Sequence, residues 1–378
     1  IFLDDYLKII KFIASDVFQP KIMKVFVWFN LVIHTCAALL TIHALLFKIK
    51  MKEFVYYAPV LFASFYGMLS LLTILFKGKM ANDIRNELRP WTIDCAGEEI
   101  HSRLKFEIKV ITSFALFNFG VAIFAGCWYC VPIFADSELF YLLRFADEHF
   151  PNQKIILEVI YKLSFLFLIY VMMVLAYQVI YYTQHARFQI MLFTEYLVNI
   201  AKNDSGIKDE ELFYSSQYQE KLAHNLKFCI KRFQEFSSTQ TKKIKQMGNL
   251  IALFALFGCL LGIGVAFYIL SDKFYPEYYV RMAASSVATV ATFVALILSG
   301  QSIENQADDV LNAMMEITWY NFNSKNKKSY LILFTSLAAK SWKIKFSENY
   351  SINYELGLAI VRGMYSILSV VVNMHRTQ

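Results

Sequence analysis

Seven long apolar stretches divide this chain, and more polar segments separate them. Six of them, residues 25–47, 54–76, 110–135, 163–183, 248–271 and 282–303, hold no formally charged side chain. The seventh, 356–374, holds one, Arg362. About 20 apolar residues in a helix cross about 30 Å of hydrocarbon, so each stretch is long enough to span a bilayer. Backbone amides cannot stay unpaired in lipid, which leaves helices or a closed barrel. A barrel strand alternates polar and apolar positions, and these stretches do not. The pattern predicts an all-α, polytopic membrane protein with seven transmembrane helices.

The polar segments have their own periodicity. In 184–247, Leu222, Leu226, Cys229, Phe233 and Phe236 recur every three or four residues, with Lys and Glu between them. That spacing predicts an amphipathic helix packed on something outside the bilayer. Phe188, Leu192 and Tyr196 predict that span four continues as a helix over 186–201. Segments 304–322 and 326–345 are also helix-like, and the apolar run from Ser329 to Ala339 is too short to cross. The expected organisation is residues 1–183 with spans one to four, 184–247 as helical extensions, 248–303 with spans five and six, 304–350 as further helices and 351–378 with span seven. The helices outside the spans form one intracellular anchor domain or lie separately on the membrane surface.

Charge sets the orientation. Of 37 Lys and Arg, 27 fall in 1–24, 77–109, 184–247 and 304–355, against 9 in the alternate loops. Positive loops stay in the cytosol, which predicts an inverted topology with the amino terminus inside and the carboxyl terminus outside. The sequons at Asn203 and Asn349 then lie in the cytosol and stay bare. The net charge of +7 does not point to nucleic acid, because the basic residues sit in short clusters between spans and suit anionic membrane lipid. With 57% apolar and only 18% charged residues, the composition lies outside the soluble range.

Catalytic signatures are absent: there is no P-loop, GxSxG, HExxH or dinucleotide fingerprint. Nothing implies a cofactor or metal. Cys127 and Cys130 form a lone CxxC on a membrane helix, read as packing. His34 and His43 lie nine residues apart in span one, off a common face, and suit interhelical hydrogen bonds. The outer halves of four spans carry aromatic and small polar residues. These are Tyr57, Phe62, Phe65 and Tyr66 on span two, Ile123, Phe124, Cys127 and Tyr129 on span three, Phe165, Ile169 and Met172 on span four, and Ser285, Ser286 and Thr289 on span six. Such walls suit a small apolar ligand, or they are ordinary packing. Arg362 must face protein or water. Span seven is therefore either pore-lining or holds Arg362 against a carboxylate.

The carboxyl end sharpens the picture. Gly300-Gln301 follows span six, Trp319-Tyr320 comes a short helix later, Lys325 to Lys328 make a basic turn, and the last helix carries Tyr365-Ser366. In this order, with the length and loop pattern of the whole chain, the sequence resembles an insect odorant receptor. It has Met364-Tyr365 and Val371-Val372 where the olfactory co-receptor has a Thr-Tyr and a later Gln, so the resemblance is to a ligand-tuning subunit. The resemblance implies an odorant-binding subunit of a ligand-gated, non-selective cation channel in the plasma membrane of sensory neurons. It implies assembly with co-receptor subunits, usually as a heterotetramer, and a small volatile odorant as ligand. It also places the odorant among the outer-half residues of spans two, three, four and six, and the narrowest part of the pore at Leu368 with Val371 or Val372. A G-protein-coupled receptor needs the opposite orientation. A transporter or membrane enzyme needs clustered intramembrane carboxylates or His, and only Arg362 lies within a span.

Overall fold

The computed structural model describes residues 5–50, 53–77, 91, 97–133, 136–201, 209–271, 274–340, 342–345 and 350–376. Asn203 and Asn349 lie outside them. The described residues fold into helices, with one isolated bridge between Lys345 and Ser351. In chain order these are α1 (Lys8–Ala14), α2 (Lys21–Phe47), α3 (Phe54–Lys77), α4 (Glu98–Cys130), α5 (Asp136–Leu139), α6 (Tyr141–His149), α7 (Lys154–Asn199), α8 (Asp209–Leu212), α9 (Ser216–Ile269), α10 (Tyr279–Glu316), α11 (Ser324–Ala339) and α12 (Tyr354–Arg376). Six of them, α2, α3, α4, α7, α9 and α10, are long and apolar enough to cross a membrane.

The axis of the bundle is α7. It is buried almost all round, from Tyr161 to Leu197, as expected of a helix apolar on every face. It packs against α10, α4, α3 and α1, while α9 lies along α3 and α2 along α3. Midway, the Asn118 side-chain amide of α4 donates to the Tyr177 hydroxyl of α7 (2.9 Å) and to Thr292 of α10 (2.8 Å). Polar side chains join apolar helices in this way where no water competes.

Three helices run far past their apolar stretches without a break: α7 has 46 residues, α9 has 54 and α10 has 38. The sequence divisions at 183/184, 247/248 and 303/304 fall inside them. Their lower ends pack with α11 around one core. The amphipathic face of α9 belongs to it: Leu222, Leu226, Cys229, Phe233 and Phe236 are all buried, among Phe193, Val310, Leu333 and Trp342. Ser215 and Asn323 cap α9 and α11 by accepting the backbone N–H of Tyr218 and Asn326. Asn326 in turn donates to the Gln219 carbonyl (2.9 Å) and side chain (2.8 Å), locking α11 to α9.

The last helix is held differently. It touches α9 and α10 only along a narrow strip, where Gly357 meets Ile297 and Met364 meets Gly262. Leu358, Val361, Tyr365 and Ile367 are exposed, and so is Arg362, which forms no ion pair with the described residues. At its base, Asn353 caps the helix through the Leu356 N–H and donates to Glu304 (3.3 Å), while Gln301 accepts the Tyr354 N–H (3.3 Å). The Gly300-Gln301 pair singled out in the sequence is thus the seat of α12.

Candidate functional site

At the upper end, where α4 stops and α7 and α10 start, aromatic rings from separate elements converge. Phe165 of α7 sits at the centre, 4% exposed. Its ring lies 5.2 Å from His34 of α2, 5.2 Å from Tyr161, 5.2 Å from Phe140 and 5.9 Å from Tyr129 of α4. Most of these contacts are edge-to-face, the arrangement that aromatic quadrupoles favour. Ile123 and Met172 pack against the same cluster, which also contains Tyr268, Tyr278 and Met282. His34 shares a hydrogen bond with the Ser164 hydroxyl (3.3 Å), joining α2 to α7 as its place in span one suggested.

Polar groups punctuate this apolar volume. The Tyr278 hydroxyl and His34 Nδ1 are buried and make no hydrogen bond among the described residues. Buried polar atoms normally find partners, so these two stand out in the cluster. The Arg281 guanidinium lies between the rings of Tyr129 (5.4 Å) and Tyr278 (5.6 Å).

A four-charge cluster closes the upper end. Asp136, at the start of α5, is 3% exposed and accepts Arg281 (2.6 Å) on one oxygen and Lys162 (2.5 Å) on the other. Its second oxygen also takes the Ile133 N–H at 2.9 Å. Lys162 reaches Glu158 at 2.6 Å, so two cations face two carboxylates. Arg281 further donates to the carbonyls of Trp128 and Val131, the unsatisfied acceptors at the end of α4. Burial without such pairing would cost several kcal/mol per ion. The cluster therefore ties α4, α5, α7 and α10 together at one point.

The structure scatters the wall residues expected from sequence over several places. Phe165 is in the aromatic cluster, and Ile123 and Met172 pack against it. Ile169 packs one face round α7, with α1 and α4 residues. Phe62, Phe65 and Tyr66 turn away from this cluster towards α9: Phe62 packs against Gly264, Phe65 against Phe257 (6.1 Å) and Tyr66 against Phe254 (5.1 Å). Phe124 and Cys127 are exposed on α4, and Ser286 and Thr289 are exposed on α10. Tyr57 is buried but belongs to a separate small cluster with Tyr141. Cys127 and Cys130 are unbonded, and Cys130 donates to the Lys162 carbonyl. Of the expected gate residues, Leu368, Val371 and Val372 lie on α12, but their side chains are outside the described residues. Sequence reasoning missed Phe140, Tyr161, Asp136, Lys162 and Arg281. A signal for the charges was present: each abuts the very end of an apolar stretch.

No family model matches the chain, and no curated protein matches it in sequence. Solved structures do. The insect olfactory receptor OR5 from Machilis hrabei superposes with a TM-score of 0.75 at 10% identity, over 98% of this chain and all of that one. The same receptor in complex with eugenol superposes with a TM-score of 0.63 over the same share. At that identity the likeness shows the fold: this chain has the fold of an insect olfactory receptor.

Proposed function

We propose that this chain is the odorant-binding subunit of a ligand-gated, non-selective cation channel. The ligand is a small, volatile, mostly apolar molecule with one or two polar atoms. The observation that carries this reading is the aromatic cluster at the upper end of the bundle, with the unpartnered Tyr278 hydroxyl and His34 nitrogen beside it; this cluster, opened by a ligand, is the binding chamber. Its supports are the shared fold and the eugenol complex of the Machilis receptor.

In this reading the chain crosses the plasma membrane of a sensory neuron seven times, with α12 as the seventh span. The amino terminus lies inside, by the excess of Lys and Arg in alternate loops. The chamber then faces outward, where odorant arrives. The lower core of α7, α9, α10 and α11 lies in the cytosol as an anchor domain. The thinly packed α12 lines the pore, its exposed face meeting other subunits. The partners are co-receptor subunits in a heterotetramer. Binding opens the pore only if the odorant prefers the open arrangement.

The test is to record current from cells expressing the chain with and without an olfactory co-receptor against an odour panel, beside a sided epitope-tag assay of each terminus. Odour-evoked cation current that needs this chain supports the reading. Silence at normal surface expression, or an amino terminus outside, overturns it.

A further inference from the structure

We propose that Phe140 is a displaceable wall of the ligand chamber, a ring supplied by the protein that a ligand ring replaces, and that Asp136 is the latch holding it in place. The inference rests on the ligand reading of the chamber given above.

The rings of the chamber have two origins. Tyr129, Tyr161 and Phe165 stand on α4 and α7, helices of 33 and 46 residues. Phe140 does not. It is the single non-helical residue between α5 and α6, with extended backbone (φ −108, ψ 97) that breaks the helix and turns the side chain into the bundle. Its ring is 1% exposed and meets three others edge-on, at 5.2 Å (Phe165), 5.8 Å (Tyr161) and 6.3 Å (Tyr129). One side chain on a short connector thus fills the space between rings that two long helices carry.

The connector is light. Helices α5 and α6 have 4 and 9 residues. On α6, Tyr141, Leu143 and Ala146 are buried, while Arg144, Asp147, Glu148 and His149 point outward. Its near end is held by Leu139 in the core, by Glu138, which accepts the Tyr275 hydroxyl (3.5 Å), and by the paired Asp136 carboxylate. Asp136 takes Arg281 from α10 and Lys162 from α7, and no other carboxylate reaches Arg281 among the described residues. A shift of α10 relative to α7 pulls the two cations apart and loosens the latch. Replacing one buried aromatic ring by another conserves apolar burial and edge-to-face contact, so the exchange runs close to balance. An aromatic odorant then competes with Phe140 for its place. The volume of that side chain sets the upper size of ligand.

The experiment uses the full chain with co-receptor subunits. The variants are Phe140→Ala, Phe140→Leu and Phe140→Trp, with Phe150→Ala, an exposed ring beyond α6, as control. The probes are aromatic odorants of rising volume, from anisole through eugenol to benzyl benzoate, with surface expression measured in parallel. Phe140→Ala is expected to lower the half-maximal concentration for the larger odorants at least tenfold and to move the preferred volume up by about one ring. Phe140→Leu should move it less, and Phe140→Trp should abolish the larger responses at unchanged surface expression. Unchanged rank order and sensitivity in all three variants overturns the proposal. So does failure of both Phe140→Ala and Phe140→Leu to reach the surface, which would make Phe140 plain core packing. No current from any variant, wild type and control included, overturns the ligand-gated reading itself. Retained wild-type current with no size shift overturns only the role of Phe140.

Discussion

Gly300 and Ile352 touch so closely that a Cβ on Gly300 would overlap the Ile352 carbonyl oxygen. Gly300 lies within α10, and Ile352 lies in the turn that leads into α12. The contact therefore requires a residue with no side chain, and it sets the position at which α12 leaves the bundle. Gly300→Ala is expected to push residues 350–353 off α10, costing about 1–3 kcal/mol, the usual scale for overpacking. A lower melting temperature of the purified protein, with the Gln301 contact to α12 lost, is the result to look for. An unchanged melting temperature would mean that the turn can move aside freely.

How much of this was legible beforehand differs by feature. The apolar runs were legible because lipid forbids anything but unbroken apolar helix there. The lower core was legible too: Leu226 and Phe233 sit among charges, and only burial against a partner explains that spacing. The chamber was only partly legible. Ser286 and Thr289 look like ligand contacts, yet they share the face of α10 that is exposed in this chain, while Ala288 faces inward. Apolar faces towards lipid and towards protein look alike in sequence, so facing cannot be read from residue type. Asp136 and Arg281 stand 145 positions apart, and their pairing depends on helix order in space.

The charge cluster gives a second expectation. Asp136→Asn keeps the shape but leaves Arg281 and Lys162 without their shared carboxylate. Removing one partner of a buried pair costs about 3–5 kcal/mol. The protein is expected to be retained inside the cell or to melt early. Arg281→Lys, which keeps the charge and loses the grip on Trp128 and Val131, should fall between. Surface biotinylation beside melting curves in detergent separates them.

In the lower core, burial holds the Cys229 thiol well above its ordinary range, at about 12. At neutral or mildly alkaline pH it stays a thiol, the unreactive form. Thiol alkylation of the folded protein should therefore spare Cys229 up to about pH 9, and unfolding should expose it. Mass spectrometry of labelled peptides checks this, and rapid native labelling would mean that the α9 face is open.

The same face bears on assembly. Leu226 is fully buried and Phe233 is 6% exposed, so an aspartate at either would be an unpaired charge in a core. The double variant Leu226→Asp, Phe233→Asp should lose more than the about 2–5 kcal/mol of a Leu→Ala change. It should yield no folded subunits at the surface, and size-exclusion profiles showing normal oligomers would count against it.

On α12 the expectation concerns leak. A ring of apolar side chains from several subunits blocks ions by drying a narrow pore. If Leu368 belongs to it, Leu368→Ser raises ligand-independent current at matched surface expression. Reduced expression with no leak would place Leu368 in packing instead.

The unbroken length of α9 has one more consequence. At 1.5 Å per residue, 54 residues make a rod of about 81 Å, and the 46 residues of α7 make one of about 69 Å. Hydrocarbon accounts for about 30 Å of either. Neither rod has a joint where it leaves the membrane, so a tilt inside the bilayer is carried undiminished to the lower core. A tilt of about 5° displaces a point about 50 Å along the shaft by about 4 Å. Bilayer thickness, which acts on tilt, thereby becomes an input to the protein. Reconstitution in lipids of stepped acyl-chain length should shift odorant sensitivity in step with thickness, with no change in any side chain of the chamber.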